Sequence, residues 1–198
     1  MEGRFEEARE LYADSVAVYE DFGLRFRRAA RAILGAQIET FAGDLPAAEQ
    51  ELRTGYSMLE EMGETGVRST LASLLADVLA LQGHDVEAQR FVEITRATAA
   101  DSDVMPQVLW RRGLARTTMR RADTIEAERL AREAVALADA TDSLDLRAGT
   151  LVALGEVLAE AGRNEEAAAS VDEARALYAL KGNVAAVEAA ETALSSMT

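Results

Sequence analysis

The chain has 198 residues, a net charge of −14 and no cysteine, which rules out disulfides and thiolate metal sites. The acidic balance argues against nucleic acid and anionic membrane as partners, because phosphate-bearing surfaces demand clustered cations. Ala makes up about a fifth of the residues, while aromatics are 5% and Pro only 2 residues, a mixture that favours closely packed helices.

A short phrase recurs along the chain and orders its elements. It opens as Gly3-Arg-Phe-Glu-Glu-Ala8, and the apolar spacing around it predicts a helix over 4–21. A second helix over 24–42 ends at Gly43-Asp-Leu-Pro-Ala-Ala48, where Asp44 is the expected cap of a third helix over 45–62 and Pro46 lies in its first turn. Helices over 65–82 and 85–100 flank Gly83-His-Asp-Val-Glu-Ala88, with Asp85 as the expected cap. Helices over 104–121 and 124–140 flank Ala122-Asp-Thr-Ile-Glu-Ala127, in which Asp123 and Glu126 have the spacing of a capping box. Helices over 143–161 and 164–181 flank Gly162-Arg-Asn-Glu-Glu-Ala167, with Asn164 as the expected cap. The last helix, over 184–196, sets a narrow stripe of Val184, Val187 and Leu194 against polar Glu188, Glu191, Thr192 and Ser195, as a terminal cap requires.

The copies start at 3, 43, 83, 122 and 162. A fixed period near 40 residues marks an array of stacked hairpins forming one domain over residues 1–198. The Gly of each phrase supplies the left-handed residue that ends one helix. Small residues recur at two further depths, Ala36, Ala76, Ala115 and Gly155 before the turn and Ser15, Gly55, Thr95, Ala134 and Ala174 after it. Such rows describe helices meeting at short range.

In placing small residues, Gly and Ala at these depths, the chain resembles the tetratricopeptide repeat. The match is best over Leu154-Gly155-Glu-Val-Leu158, Gly162-Arg-Asn-Glu-Glu-Ala167 and Ala174, and weakest around Arg111, Thr118 and Ala122. The resemblance implies an all-α solenoid of about ten antiparallel helices. The stretch from Glu128 to Asp139, Asp145-Leu-Arg-Ala148 and Tyr178-Ala-Leu-Lys-Gly-Asn183 is similar to the C-terminal tetratricopeptide region of large bacterial signalling proteins. Those join a class III adenylate/guanylate cyclase domain, or a LuxR/MalT-type regulator, to an AAA-like NTPase. The resemblance implies a regulatory arm.

The first phrase stands at Gly3, so the helix that precedes the turn in other units is absent from this sequence. Phe5, Leu11 and Tyr12 are expected to present an unpaired apolar face, as in a fragment of a longer arm. No apolar run reaches the roughly 20 residues of a membrane span, and a cytoplasmic protein is expected.

Enzyme motifs are missing: no phosphate-binding Gly-Lys-Ser/Thr loop, no His-Glu-x-x-His and no Gly-x-Ser-x-Gly occurs. Neither cofactor nor metal is expected. His84 reads as a turn residue, Trp110 as core, and Asp139, Asp142 and Asp145 as caps and solvated groups without calcium-loop spacing. A second basic group, Arg25, Arg27, Arg28 and Arg31, is expected to be solvated.

The outstanding constellation lies in residues 104–121, which hold Arg111, Arg112, Arg116, Arg120 and Arg121 and no acid. Arg112, Arg116 and Arg120 are spaced i, i+4, i+8 and form one stripe. In tetratricopeptide proteins the corresponding positions line the concave groove, which also takes in Ser73 and Asp77 of the preceding unit and Glu156 and Glu160 of the following one. Two readings stand side by side. The row takes an acidic peptide or helix, or Arg116 bridges Asp77 and Glu156 as an internal ladder. The function expected is a protein-interaction and regulatory module whose partner is a peptide, a helix or the NTPase or cyclase domains of a parent protein. The alternative is an arm that senses a small effector.

Overall fold

A computed structural model describes residues 3–197, and among them lie ten α-helices and no strand. They are α1 (Phe5–Asp21), α2 (Arg25–Ala42), α3 (Leu45–Glu61), α4 (Gly66–Leu81) and α5 (Asp85–Thr98), followed by α6 (Val104–Arg120), α7 (Thr124–Asp139), α8 (Leu144–Glu160), α9 (Asn164–Lys181) and α10 (Val184–Met197). Every boundary falls within two residues of its sequence expectation.

The turns explain that agreement. Gly43 has φ 81°, and the chain closes there through Gly43 N–H on the Thr40 carbonyl and Asp44 N–H on the Glu39 carbonyl. Asp44 then accepts from the Ala47 N–H at 3.0 Å, and Asp123 accepts from the Glu126 N–H at 3.2 Å. The box around Asp123 is half made, because the Glu126 carboxylate pairs with Arg129. Two expected caps are corrected. Asp85 and Asn164 are the first residues of α5 and α9, a position too far along to cap, and Asp85 pairs with Arg120 instead. One unforeseen cap appears: Glu64 accepts from the N–H groups of Gly66, Val67 and Arg68 at the start of α4.

Ala122 takes the left-handed place without being Gly, at φ 62°. A Cβ there strains against the carbonyl, a penalty of about 1–2 kcal/mol. Ala122→Gly should therefore stabilise the chain by about 1 kcal/mol after the added unfolded-state freedom of Gly is subtracted. Urea unfolding reads this directly; a lowered midpoint would mean that the strain is absent.

Packing follows a two-layer plan. Successive even-numbered helices touch one another, α2 with α4, α4 with α6 and α6 with α8, and form an inner layer. Odd-numbered helices pack outside it, each from α3 to α9 seated between the helices before and after it. The Ala that closes each later phrase (Ala48, Ala88, Ala127, Ala167) is wholly buried at the hairpin crossing. Leu52, Leu59, Leu71, Leu75 and Leu79 fill the adjoining core.

The array also meets itself. Phe41 on α2 packs edge-to-face on Tyr178 of α9 with centroids 6.5 Å apart, and α2 touches α10.

At the other edge α1 contributes no buried residue and Leu11 is 64% exposed, as expected of an unpaired face. Tyr12 departs from that expectation. Its ring lies over Gly35, which has no side chain to hold it off, and its hydroxyl donates to Glu51 at 2.6 Å. Burial, reinforced by Glu51, pushes the Tyr12 hydroxyl pKa well above its ordinary value.

Candidate functional site

α6 is placed by its small residues. A Cβ on Gly113 would stand 3.0 Å from the Ala76 carbonyl oxygen, so Gly113 lets α6 come down onto α4. That approach brings Asp77 of α4 under Arg112 and Arg116, one helical turn apart.

Arg112 donates to Asp77 through Nε at 2.9 Å and through a second, very short bond from Nη2. Arg116 donates from Nη1 to Asp77 at 2.7 Å and from Nε to Glu156 of α8 at 2.6 Å. Three inner helices are thus tied by one chain of charge-assisted hydrogen bonds. Asp77 is 3% exposed and Arg116 8%. Burial alone would raise the Asp77 pKa, but the attraction of Arg112 and Arg116 and their hydrogen bonds outweigh it and hold the group below the ordinary carboxylate range. Burial likewise opposes the charge on Arg116, and Glu156 and Asp77 more than compensate, so its pKa lies above the usual guanidinium value.

Gly149 on α8 leaves room for the Arg112 guanidinium, which a Cβ there would strike, with the Tyr178 hydroxyl beside it. Tyr178 is 8% exposed; burial raises its pKa, and the nearby Arg112 pulls the other way.

The remaining sequence candidates separate. Arg120 turns to Asp85 and to the Ala80 carbonyl, reached by Nη2 at 2.7 Å, and its side chain stays 40% exposed. Ser73 is buried and donates to the Thr70 carbonyl of its own helix at 2.7 Å, away from the ladder. Glu160 is exposed at the rim and forms no ion pair among the described residues. The structure therefore brings Asp77, Arg112, Arg116 and Glu156 together and leaves Ser73, Arg120 and Glu160 outside that cluster.

Sequence reasoning missed Asp85, Phe41 and Tyr178. Phe41 had a readable signal, since it stands two residues before its turn, as Leu81, Arg120 and Glu160 do. Trp110 is core, with its indole N–H on Gln107 at 3.0 Å and the Arg111 guanidinium 4.2 Å from its ring. His84 sits exposed in its turn. Asp139 pairs with Arg147, and Asp145 accepts from Asn183. The second basic group is only partly solvated. Arg25 and Arg27 are exposed, but Arg28 is largely buried between Glu20 and Glu51, and Arg31 is half-buried beneath α1, because α1 folds over this end of α2.

No protein-family model matches the chain, and neither does any curated protein. Solved structures do. A variant form of a Podosopora anserina protein described as a kinesin light chain with nearly identical TPR-like repeats is 20% identical over 91% of this chain and 90% of its own, with TM-score 0.55. BtubC (BKLC) from P. vanneervenii is 16% identical over 98% and 91%, with TM-score 0.55. A signal transduction ATPase with numerous domains from Pyrococcus horikoshii, carrying a tetratricopeptide repeat sensor, is 16% identical over 98% of this chain but only 32% of its own, again with TM-score 0.55. At such identities the likeness is one of architecture. No helix of the described residues is long and apolar enough to cross a membrane. The chain has the tetratricopeptide-like solenoid fold.

Proposed function

We propose that the chain is a regulatory protein-interaction module that takes an acidic peptide or helix along its inner face, on the Arg112, Arg116 and Arg120 row. One observation carries this reading: three guanidiniums one turn apart on α6, in a protein of charge −14, each face a carboxylate on a neighbouring helix. A row already matched to carboxylates has the geometry that a partner's carboxylates require. Arg120 and Glu156, 40% and 41% exposed in their side chains, form the accessible part of the row, whereas Ser73 and Asp77 are buried and Glu160 is exposed. The partner is a segment of another protein or of an NTPase or cyclase domain in a parent signalling protein. Catalysis has no part in this reading.

The test separates recognition from scaffolding. A labelled poly-Glu peptide should bind the chain with an affinity that falls as salt rises, and Arg120→Glu should abolish that binding while leaving the melting temperature nearly unchanged. Arg116→Glu, by contrast, places a third acid beside Asp77 and Glu156 and should lower the melting temperature as well. Salt-independent binding, or binding untouched by Arg120→Glu, would remove the row as a recognition surface.

A further inference from the structure

A second surface lies along the α1–α2 pair, at the far edge from the Arg ladder. Its groove has a volume of about 490 Å³ and is lined by Phe5, Ala8, Leu11, Arg31, Leu34 and Ile38, among others. A shallower continuation runs past Tyr19, Phe26 and Arg27.

The repeat itself says what such a groove seats. Leu11 stands eight residues after the start of its phrase, and the same place holds Phe91 and Leu130 in later units. Those two are 5% and 1% exposed, whereas Leu11 is 64% exposed. Leu34 stands nine residues before its turn, where Leu74 is partly buried and Gly113 and Ala153 are buried, yet it is 37% exposed. In the later units neighbouring helices supply the cover: Phe91 meets the Tyr56 ring of α3 with centroids 5.6 Å apart, α4 lies against α5 and α6, and α6 against α7 and α8. Nothing among the described residues lies against α1 and α2 in this way.

Charge specifies the occupant further. Arg27 and Arg31 are four residues apart on α2 and form no ion pair with any carboxylate among the described residues. Among the described residues Arg31 has the Ser15 hydroxyl at 3.3 Å and the Tyr19 ring at 6.0 Å. The same i, i+4 spacing recurs on α6, where Arg112 and Arg116 converge on the single carboxylate of Asp77, carried by the preceding inner helix. On α2 the cations are in place, in a protein with 35 acids to 21 basic residues, and the carboxylate is missing.

We propose that the α1–α2 groove binds one amphipathic α-helix of a partner protein, whose apolar stripe covers Leu11 and Leu34 and whose central Asp or Glu sits between Arg27 and Arg31. The groove runs from Phe5 to Tyr19 along α1, about 21 Å at the rise of a helix, and accepts about four turns. Apolar burial supplies the attraction, and the carboxylate fixes the register along the groove.

The test uses the full chain and a fluorescein-labelled Leu/Ala amphipathic peptide matched to the 18 residues of α2, with one central Asp. It should bind as a helix, and the same peptide with Asn in place of Asp should bind at least about tenfold more weakly, one lost charge-assisted pair. Arg31→Gln should weaken the Asp peptide by a similar factor and leave the Asn peptide unaffected, a coupling that general loss of folding does not imitate. Leu11→Asp should abolish binding of both. Equal affinity of the Asp and Asn peptides, or indifference to Leu11→Asp, overturns the proposal. So does a chain that is dimeric by light scattering and becomes monomeric with Leu11→Asp, since a second copy would then fill the groove. Arg120→Glu tests the inner face and should not alter this binding, so the two surfaces fail or stand separately.

Discussion

Asp77→Asn should cost about 3–5 kcal/mol of stability, because it leaves Arg112 and Arg116 without their shared carboxylate in a site where Asp77 is only 3% exposed. The loss should be visible as a large fall in the urea midpoint with an unchanged slope. The pH dependence carries the same information. The Asp77 pKa is held down in the folded protein, so its contribution is fully present above the unfolded value of about 3.9 and disappears as pH falls through the lower folded value. The wild-type chain should therefore lose this increment in acid, and the Asn variant should show a shallower acid limb. Replacing all of Asp77, Arg112 and Arg116 by apolar residues of similar volume should be nearly neutral, since the desolvation of three charges is removed together with their attraction. A triple variant as unstable as Asp77→Asn would mean that the ladder contributes geometry that packing does not replace.

Gly55→Ala should destabilise the array by about 1–3 kcal/mol, although the same exchange in an exposed helix gains about 1 kcal/mol from helix propensity. At Gly55 the new Cβ would lie 2.6 Å from the Ala29 carbonyl oxygen and 2.6 Å from the Ala32 methyl group. Neither atom is the free end of a flexible side chain, so α2 and α3 must separate. Thermal unfolding of the variant measures the balance; a raised melting temperature would mean that the hairpin crossing is looser than these distances.

The turns and small rows made the fold legible because each is a local constraint. A left-handed residue at Gly43 or a methyl-sized contact at Ala88 restricts its own few neighbours, and such restrictions recur wherever the residue does. The ladder was legible for a related reason: residues at matching positions of successive units become neighbours, and Asp77, Arg116 and Glu156 all stand six residues before their turns. Arg120 escaped this logic by reaching past Leu81 to Asp85, on the next outer helix, because a long side chain at a helix end is free to bend round the terminus. Burial of Arg28 was hidden in the same way, since it depends on how α1 crosses α2, an angle that periodicity does not encode. Phe41 on Tyr178 was the least accessible of all. The two lie more than three repeats apart, and their meeting depends on curvature summed over every intervening unit.

That meeting alters how the molecule should come apart. A linear stack couples each unit only to its neighbours, so its ends fray independently and intermediates of every length are populated. Here Phe41 of the first inner helix is part of the same apolar cluster as Ala148, Leu151, Ala174 and Tyr178. Peeling away the last hairpin therefore strips cover from α2, and loosening α2 exposes Tyr178. The contact joins α2 to the end of the array like a clasp on a bracelet, so the links from α2 to α10 should share one melting transition.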